Sequence, residues 1–234
     1  MKRLEIVVEG QSEREFVQNV LAPYLQKRGV IESYNVVSIV VRTNSNSRGG
    51  MTKYSHLRRD IMNCLKSKND ELVVSMMVDY FRMPSNLRET LGIATNDNHI
   101  KDAENIEQAI LDDIGDSRFI PYVQLHEFEA LLFAAKEGFT YCYGDDPRCM
   151  DLFTIVDRYD NPEEINSSPD GAPSKRMLAI IPEYDKVMDG NTIIMQNGME
   201  SILRRCPRFH NWVEKIIVNL SSSPADTPTE NEDA

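Results

Sequence analysis

Apolar positions in the first 137 residues follow two alternating patterns. Short apolar runs at Leu4 to Val8, Tyr34 to Val41, Leu72 to Val78 and Phe119 to Leu125 read as strands, the second rich in β-branched residues. Between them, apolar residues return every three or four positions. Phe16, Val17, Val20, Leu21, Tyr24 and Leu25 do so ahead of Gly29, and Ser12 with Glu15 has the spacing of a capping box. Leu57, Ile61 and Leu65 mark a second helix, and Ala103, Ile106, Ile110 and Ile114 a third. Phe128, Leu131 and Leu132 mark one more over 127–135. The order βαβαβαβα predicts an α/β fold with a four-stranded, mainly parallel sheet. Its strands are expected near 4–8, 34–42, 72–78 and 119–125, with helices on both faces. Residues 80–99, containing Pro84, Gly92 and Asn96-Asp97-Asn98, form a long connection, a length usually tied to function or to a short helix.

From about residue 138 strand-like runs give way to turns, Gly144-Asp145-Asp146-Pro147 and Ser168-Pro169-Asp170-Gly171, and to short helical patterns. Helices are expected over 149–158, 174–182, 191–206 and 208–219. The predicted organisation is an α/β domain at 1–137, a helical C-terminal part at 138–220 packed on it, and an acidic tail at 221–234 with the composition of a disordered segment.

Composition narrows the function classes. A hydrophobic content of 41% supports a sizeable core, and no apolar stretch approaches the roughly 20 residues that span a bilayer. A membrane is therefore not an expected partner. Cys64, Cys142, Cys149 and Cys206 lack zinc-like spacing, so reduced thiols in a cytoplasmic protein are expected. The formal net charge is -11, and the tail alone carries four acids and no base. Such a charge opposes an unaided grip on a polyphosphate. Bound cations, a local basic patch or a basic partner would have to offset it. The chain has no Walker A, GxGxxG, HExxH or GxSxG motif.

Two apolar runs end in a carboxylate: Glu9, followed by Gly10, and Asp79. Strand C-termini in open α/β sheets line the functional crevice. Two acids aimed into one crevice repel unless a cation lies between them. Against this stands the plainer reading that each acid caps the following helix. Arg48, Lys53, Arg58 and Arg59 surround Gly49-Gly50, and Arg48 and Lys53 are candidate phosphate contacts; a solvated helix start explains them equally well. Lys175 and Arg176 are a second candidate phosphate contact, with Ser174 as N-cap and both bases simply exposed as the alternative. His126 is a candidate base or phosphate donor, or a hydrogen-bonded structural histidine. Trp212 lies in a helical pattern with Phe209, Val213 and Ile216 and reads as core or interface packing.

The Val7-Val8-Glu9-Gly10 turn, the following Ser12-Glu13 and the strand ending in Asp79 resemble the Toprim domain of topoisomerases, bacterial primases, RecR-type proteins and OLD-family nucleases. The resemblance covers residues 4 to about 135. Five further stretches are similar as a set to a bacterial family of small Toprim-like proteins with a domain of unknown function. These are Val8 to Glu13, Asp79 to Pro84, His126 to Leu132, Pro173 to Arg176 and Cys206 to Phe209. The resemblance implies Mg²⁺ or Mn²⁺ as cofactor. It also implies Glu9 as general acid or base or water-mediated ligand, and Asp79 as principal metal ligand. The Toprim pattern Asp-x-Asp is here Asp79-Tyr80-Phe81, so one carboxylate is missing. Glu127 and Glu129, just past the fourth strand, are the candidate replacements. Glu127, or failing it Glu129, is expected to face the crevice, the other pointing away as Phe128, Leu131 and Leu132 turn inward. Two solvated first-turn acids, favoured by the helix dipole, are the equally weighted alternative.

Two functions follow from the resemblance. One is a metal-dependent phosphodiester hydrolase, a nuclease, acting as effector of an ATPase-linked bacterial defence system. The other is a non-catalytic module that binds a protein partner or nucleic acid. A separate ATPase subunit, a nucleic acid and a second copy of the chain are the partners compatible with these readings. With 234 residues there is little room for the extra domains of a topoisomerase or primase.

Overall fold

The structure is a computed structural model and describes residues 1–42, 47–49, 51–165 and 171–221. The predicted acidic tail lies outside the described residues beyond Ser221. Strand β1 (Arg3–Val8) leads through Gly10 into α1 (Gln11–Phe16), a π-helical stretch (Val17–Leu21) and α2 (Ala22–Lys27). Then follow β2 (Ser33–Ser38), β3 (Val40–Arg42), β4 (Ser47–Gly49), α3 (Tyr54–Cys64) and β5 (Leu72–Asp79). A 3₁₀ turn at Tyr80–Arg82 precedes α4 (Asn86–Leu91) and α5 (His99–Ile114). Two short strands, β6 (Phe119–Ile120) and β7 (Val123–Gln124), run into a 3₁₀ segment at Phe128–Ala134. The C-terminal helices are α6 (Glu137–Tyr143), α7 (Cys149–Arg158), α8 (Pro173–Ile180), α9 (Met188–Arg205) and α10 (Pro207–Ser221). None of the described helices is long and apolar enough to cross a membrane.

The main sheet has the order β2-β1-β5-β6, with β7 also on β5, and every pairing in it is parallel. Alternating residues of one strand enter different cores, as the period of two requires. Leu4, Ile6, Val8, Val73 and Met77 join a core with α1, α2 and the C-terminal helices. Val7, Leu72, Val74, Met76 and Val78 join a second core with α3 and α5. With helices on both sides, all eight residues of β5 are buried, which explains why its sequence is apolar but for Ser75 and the terminal Asp79. One core thus joins β1 and β5 to the helices after residue 138.

Two strands differ from the sequence expectation. The second was expected to run to residue 42. Instead Ile39 bonds to the carbonyl of Val8, where β1 ends, and β3 pairs antiparallel with β4 in a separate ribbon. A strand that outruns its neighbour must find a new partner for its amides. The fourth is split at Pro121, which has no N–H to give the ladder. The 127–135 helix is a 3₁₀ segment, and α6 was not anticipated.

Helix α10 is fixed to the sheet by polar as well as apolar contacts. Trp212 Nε1 donates to Ser75 Oγ at 2.9 Å, and its ring stacks on Tyr122 at 4.6 Å. Helices α6 and α9 cross closely at Gly138, where a Cβ would lie 2.3 Å from the Ile193 carbonyl oxygen. Asn197 seals that crossing, accepting from the Gly138 amide and donating to the Leu132 carbonyl.

Candidate active site

Strands β1 and β5 are adjacent and parallel, so their C-terminal ends open at the same edge of the sheet. Glu9 follows the first and Asp79 ends the second. The Asp79 backbone lies close enough to the Glu9 carboxylate to favour its charged form slightly. Glu9 is 6% and Asp79 1% exposed. Asp79 Oδ1 accepts from the Phe128 amide at 2.8 Å. Asp79 Oδ2 and Glu9 Oε2 are buried without a hydrogen-bond partner. A buried, unsatisfied carboxylate oxygen is costly and calls for an explanation.

Two further carboxylates surround this pair. Glu13, one helical turn after Glu9, accepts the Gly10 amide at 3.1 Å. The helix therefore begins at Gln11 under a Gly10–Glu13 cap and not at the expected Ser12–Glu15 box. A Cβ on Gly10 would come 3.0 Å from this Glu13 oxygen. Glu129 is fully buried and pairs with Lys186 Nζ at 2.6 Å, without the alignment of a hydrogen bond. Lys186 lies just ahead of α9 and brings the helical C-terminal part into the site.

The charges are strongly coupled. Burial, then the neighbouring Glu13, pushes Glu9 up from 4.5 to about 7, against Arg82 and Lys186. Asp79 is held well above its ordinary range by burial and by Glu13, Glu129 and Glu9. Burial likewise raises Glu129, with Lys186 opposing. Burial lowers Lys186, but Glu129, Asp79 and Glu13 outweigh it and leave the ammonium raised. A cleft of ≈ 290 Å³, lined by Glu9, Glu13, Arg82 and Lys186 among others, gives access from solvent. Carboxylates poised near neutrality in a cleft can hold or move a proton.

The structure brings Glu9, Asp79 and Glu129 together but turns Glu127 elsewhere. Glu127 Oε2 accepts the Ser174 amide at 3.0 Å, at the N-terminus of α8. This reverses the expected roles of the two acids. The expectation assumed a helix with one solvent side, whereas every residue from Phe128 to Ala134 is buried between the sheet edge and the C-terminal helices. Glu127 is still extended and points to α8, where the helix dipole favours it.

Of the expected phosphate contacts, Lys53, Lys175 and Arg176 do not line the cleft. The side chain of Arg48 lies outside what the structure describes. Lys53 is exposed before α3 and Lys175 is exposed on α8. Arg176 donates to the Gly171 carbonyl at 2.8 Å and lies over the Tyr159 ring. Ser174 is the second residue of α8, and Ala172 holds the N-cap position. His126 is buried with φ 63° and contacts His99 across 3.1 Å between ring nitrogens. Burial, then His99, lowers it to about 4, so it is neutral at physiological pH. Sequence reasoning passed over Glu13, Arg82 and Lys186. The Glu9-x-x-x-Glu13 spacing signals the first; no local signal exists for Lys186, more than a hundred residues away.

Glu9, Asp79 and Glu129 have the oxygen chemistry that hard divalent cations require. Glu9 Oε2, Asp79 Oδ2 and Glu129 Oε2, buried without partners, fit such an ion. As the side chains stand, no three His, Cys, Asp or Glu among the described residues converge into a metal cage.

No curated protein matches this chain. Among solved structures, it is similar to the C-terminal region of the Xanthomonas campestris pv. campestris OLD protein. That similarity has 17% identity and a TM-score of 0.45, and covers 93% of this chain and 95% of the other. It is also similar to the C-terminal region of the Burkholderia pseudomallei OLD protein, with 18% identity, a TM-score of 0.46 and coverage of 93% and 98%. At these values the reading of the site rests on this chain's own residues. The motifs from Val8 to Phe209 that suggested a family all fall within residues 8–217, the region matched by one family. By that match the chain belongs to the family of the domain of unknown function DUF4276.

Proposed function

We propose that this protein is a Mg²⁺- or Mn²⁺-dependent phosphodiester hydrolase, a nuclease, with Glu9, Asp79 and Glu129 as its acidic centre. The observation that carries this reading is the pair of buried, unpartnered oxygens, Glu9 Oε2 and Asp79 Oδ2, delivered by neighbouring parallel strands. A divalent ion held there would polarise a phosphate and offset charge developing on it. Glu9, with its pKa near 7, exchanges a proton close to neutral pH. Glu13 holds the Glu9–Gly10 turn in place through the Gly10 amide. Arg82 and Lys186 supply the positive charge at the mouth of the cleft that an anionic substrate needs. The partners in this reading are a nucleic acid and, from the resemblance alone, a separate ATPase subunit.

A non-catalytic binding module is the second reading. The Lys186–Glu129 ion pair favours it, because the chain already supplies one cation to its own acids. Calorimetric Mg²⁺ and Mn²⁺ titration, paired with cleavage assays on DNA and RNA, separates the two. The first reading expects binding that is lost in Glu9→Gln and Asp79→Asn, weakened in Glu129→Gln and retained in Glu127→Gln. Absence of metal binding by the wild type overturns it.

A further inference from the structure

The chain turns sharply after Asp79, and the next residues build an aromatic group beside the acidic cleft. Tyr80, Phe81 and His99 are each half-buried. Their rings lie together, Tyr80 to Phe81 at 5.8 Å, Tyr80 to His99 at 5.2 Å and Phe81 to His99 at 6.2 Å between centroids. Phe81 rests on the buried His126 ring at 5.0 Å. Tyr80 also packs against the α3–α5 core, but Phe81 belongs to neither hydrophobic core. Its support is the histidine pair and not the aliphatic interior.

This group is held by specific polar contacts. The Phe81 amide donates to the carbonyl of His126, whose left-handed backbone aims it there. A non-glycine residue at positive φ is uncommon, though histidine is among those that adopt it more readily, and such backbone gathers at functional sites. Tyr80 Oη donates to Asp102 Oδ2 at 2.6 Å. Asp102 is 1% exposed and also receives Arg88 and the Asn96 amide. The long 80–99 connection is thus tied down at both ends, with Phe81 half-buried. Arg82, the next residue, lines the cleft with Glu9.

A net charge of -11 weakens the usual means of gripping a nucleic acid, the attraction of a basic surface for the phosphate backbone. Stacking of bases on aromatic rings does not depend on net charge, but it needs bases free of a duplex. We infer that Phe81, flanked by Tyr80 and His99, is a stacking platform for an unpaired base, so that the cleft takes single-stranded nucleic acid in preference to duplex. The substrate class deepens the nuclease reading and rests on it, while the platform itself can be tested without metal. Arg82 would contact the phosphate beside the stacked base.

The test is fluorescence anisotropy in EDTA, so that binding is read apart from metal and cleavage. The probes are a labelled single strand of about 12 nucleotides, within single-strand site sizes, as DNA and as RNA, and the DNA duplex of the same sequence. The single strands are expected to bind more tightly than the duplex. Phe81→Leu is expected to weaken single-strand binding about tenfold, the range for loss of one stacked base, and Phe81→Trp to retain it. Thermal unfolding of both variants shows whether each is folded, and Phe81→Trp keeps the test valid if the leucine variant is not. Equal or tighter duplex binding, no effect of Phe81→Leu, or no binding by the wild type overturns the platform. Single-strand binding lost in folded Phe81→Leu, with no metal uptake by the wild type, would leave the platform standing and remove the metal site. The tighter of the DNA and RNA strands identifies the sugar.

Discussion

Two buried acidic regions of this protein lie on the same chain and are treated in opposite ways. Behind α10, Glu163 is fully buried and accepts the amides of Arg208 at 2.9 Å and Phe209 at 3.1 Å, together with the Tyr122 hydroxyl at 3.3 Å. Nearby, Glu107 accepts the Val123 amide and pairs with Arg208 at 2.7 Å. These carboxylates join the start of α10 to the sheet edge, and both oxygens of Glu163 and the Oε1 of Glu107 are occupied. At the ends of β1 and β5, Glu9 and Asp79 are buried just as deeply, yet each leaves an oxygen unpartnered among like charges. Burial alone therefore does not distinguish scaffold from site. The distinction lies in whether the charge is satisfied, because an unsatisfied buried acid destabilises the fold and persists where something else uses it.

The largest effect should come from breaking the satisfied region. Glu163→Ala leaves the two α10 amides without their acceptor, while the Tyr122 hydroxyl keeps Gln124, and should cost about 1–3 kcal/mol for each orphaned amide in urea unfolding. Under the same metal-free conditions Asp79→Asn should be neutral or stabilising by roughly 1–3 kcal/mol, since the amide keeps the Phe128 bond and removes a charge. Equal losses in both variants would abolish the contrast.

Titration gives the next largest effect. Glu9 has a pKa near 7 in the folded protein and 4.5 when unfolded, so between those values the folded chain holds a proton that the unfolded chain has released. Its contribution is full below pH 4.5 and lost as pH rises through about 7, on the order of 3 kcal/mol. Glu9→Gln should flatten that decline in metal-free thermal melts. His126 acts in the other direction. Its folded pKa of about 4 lies below the unfolded 6.5, so its contribution is present above pH 6.5 and lost as pH falls toward 4. His126→Asn, which tolerates the left-handed backbone, should remove that acid limb.

Metal loading sharpens the comparison further. Mg²⁺ at a hundredfold excess over its dissociation constant should stabilise the wild type by about 2.7 kcal/mol and leave Asp79→Asn unmoved. The smallest change is expected at Glu127, whose link to the Ser174 amide is a helix-end contact worth about 1 kcal/mol or less. Glu127→Gln should lower the melting temperature slightly and leave metal affinity intact. Lost affinity there would return Glu127 to the site.

Apolar patterning along the chain foretold the α/β class, the four parallel strand positions and the helical character of the region after residue 138. Its failures are local and physical. Pro121 interrupts the fourth strand, and the second strand departs where β1 runs out beside it. Glu9 and Asp79 were legible as acids at strand ends because each follows a strong apolar run. Glu127 and Glu129 were assigned the wrong way round, since the answer depended on a 3₁₀ segment buried on all sides.

What the sequence determined by itself is local: which segments bury a face, where strands end, and which acids those ends carry. Hydrophobic period and turn chemistry act over a few residues and can be read without the fold. Only the tertiary structure decided which charges meet. It placed Lys186 against Glu129, set Phe81 on the His126–His99 pair, and gave Glu163 two helix amides while leaving Glu9 and Asp79 each with an unpartnered oxygen. Electrostatic coupling depends on distance and burial, and neither is a property of position along the chain.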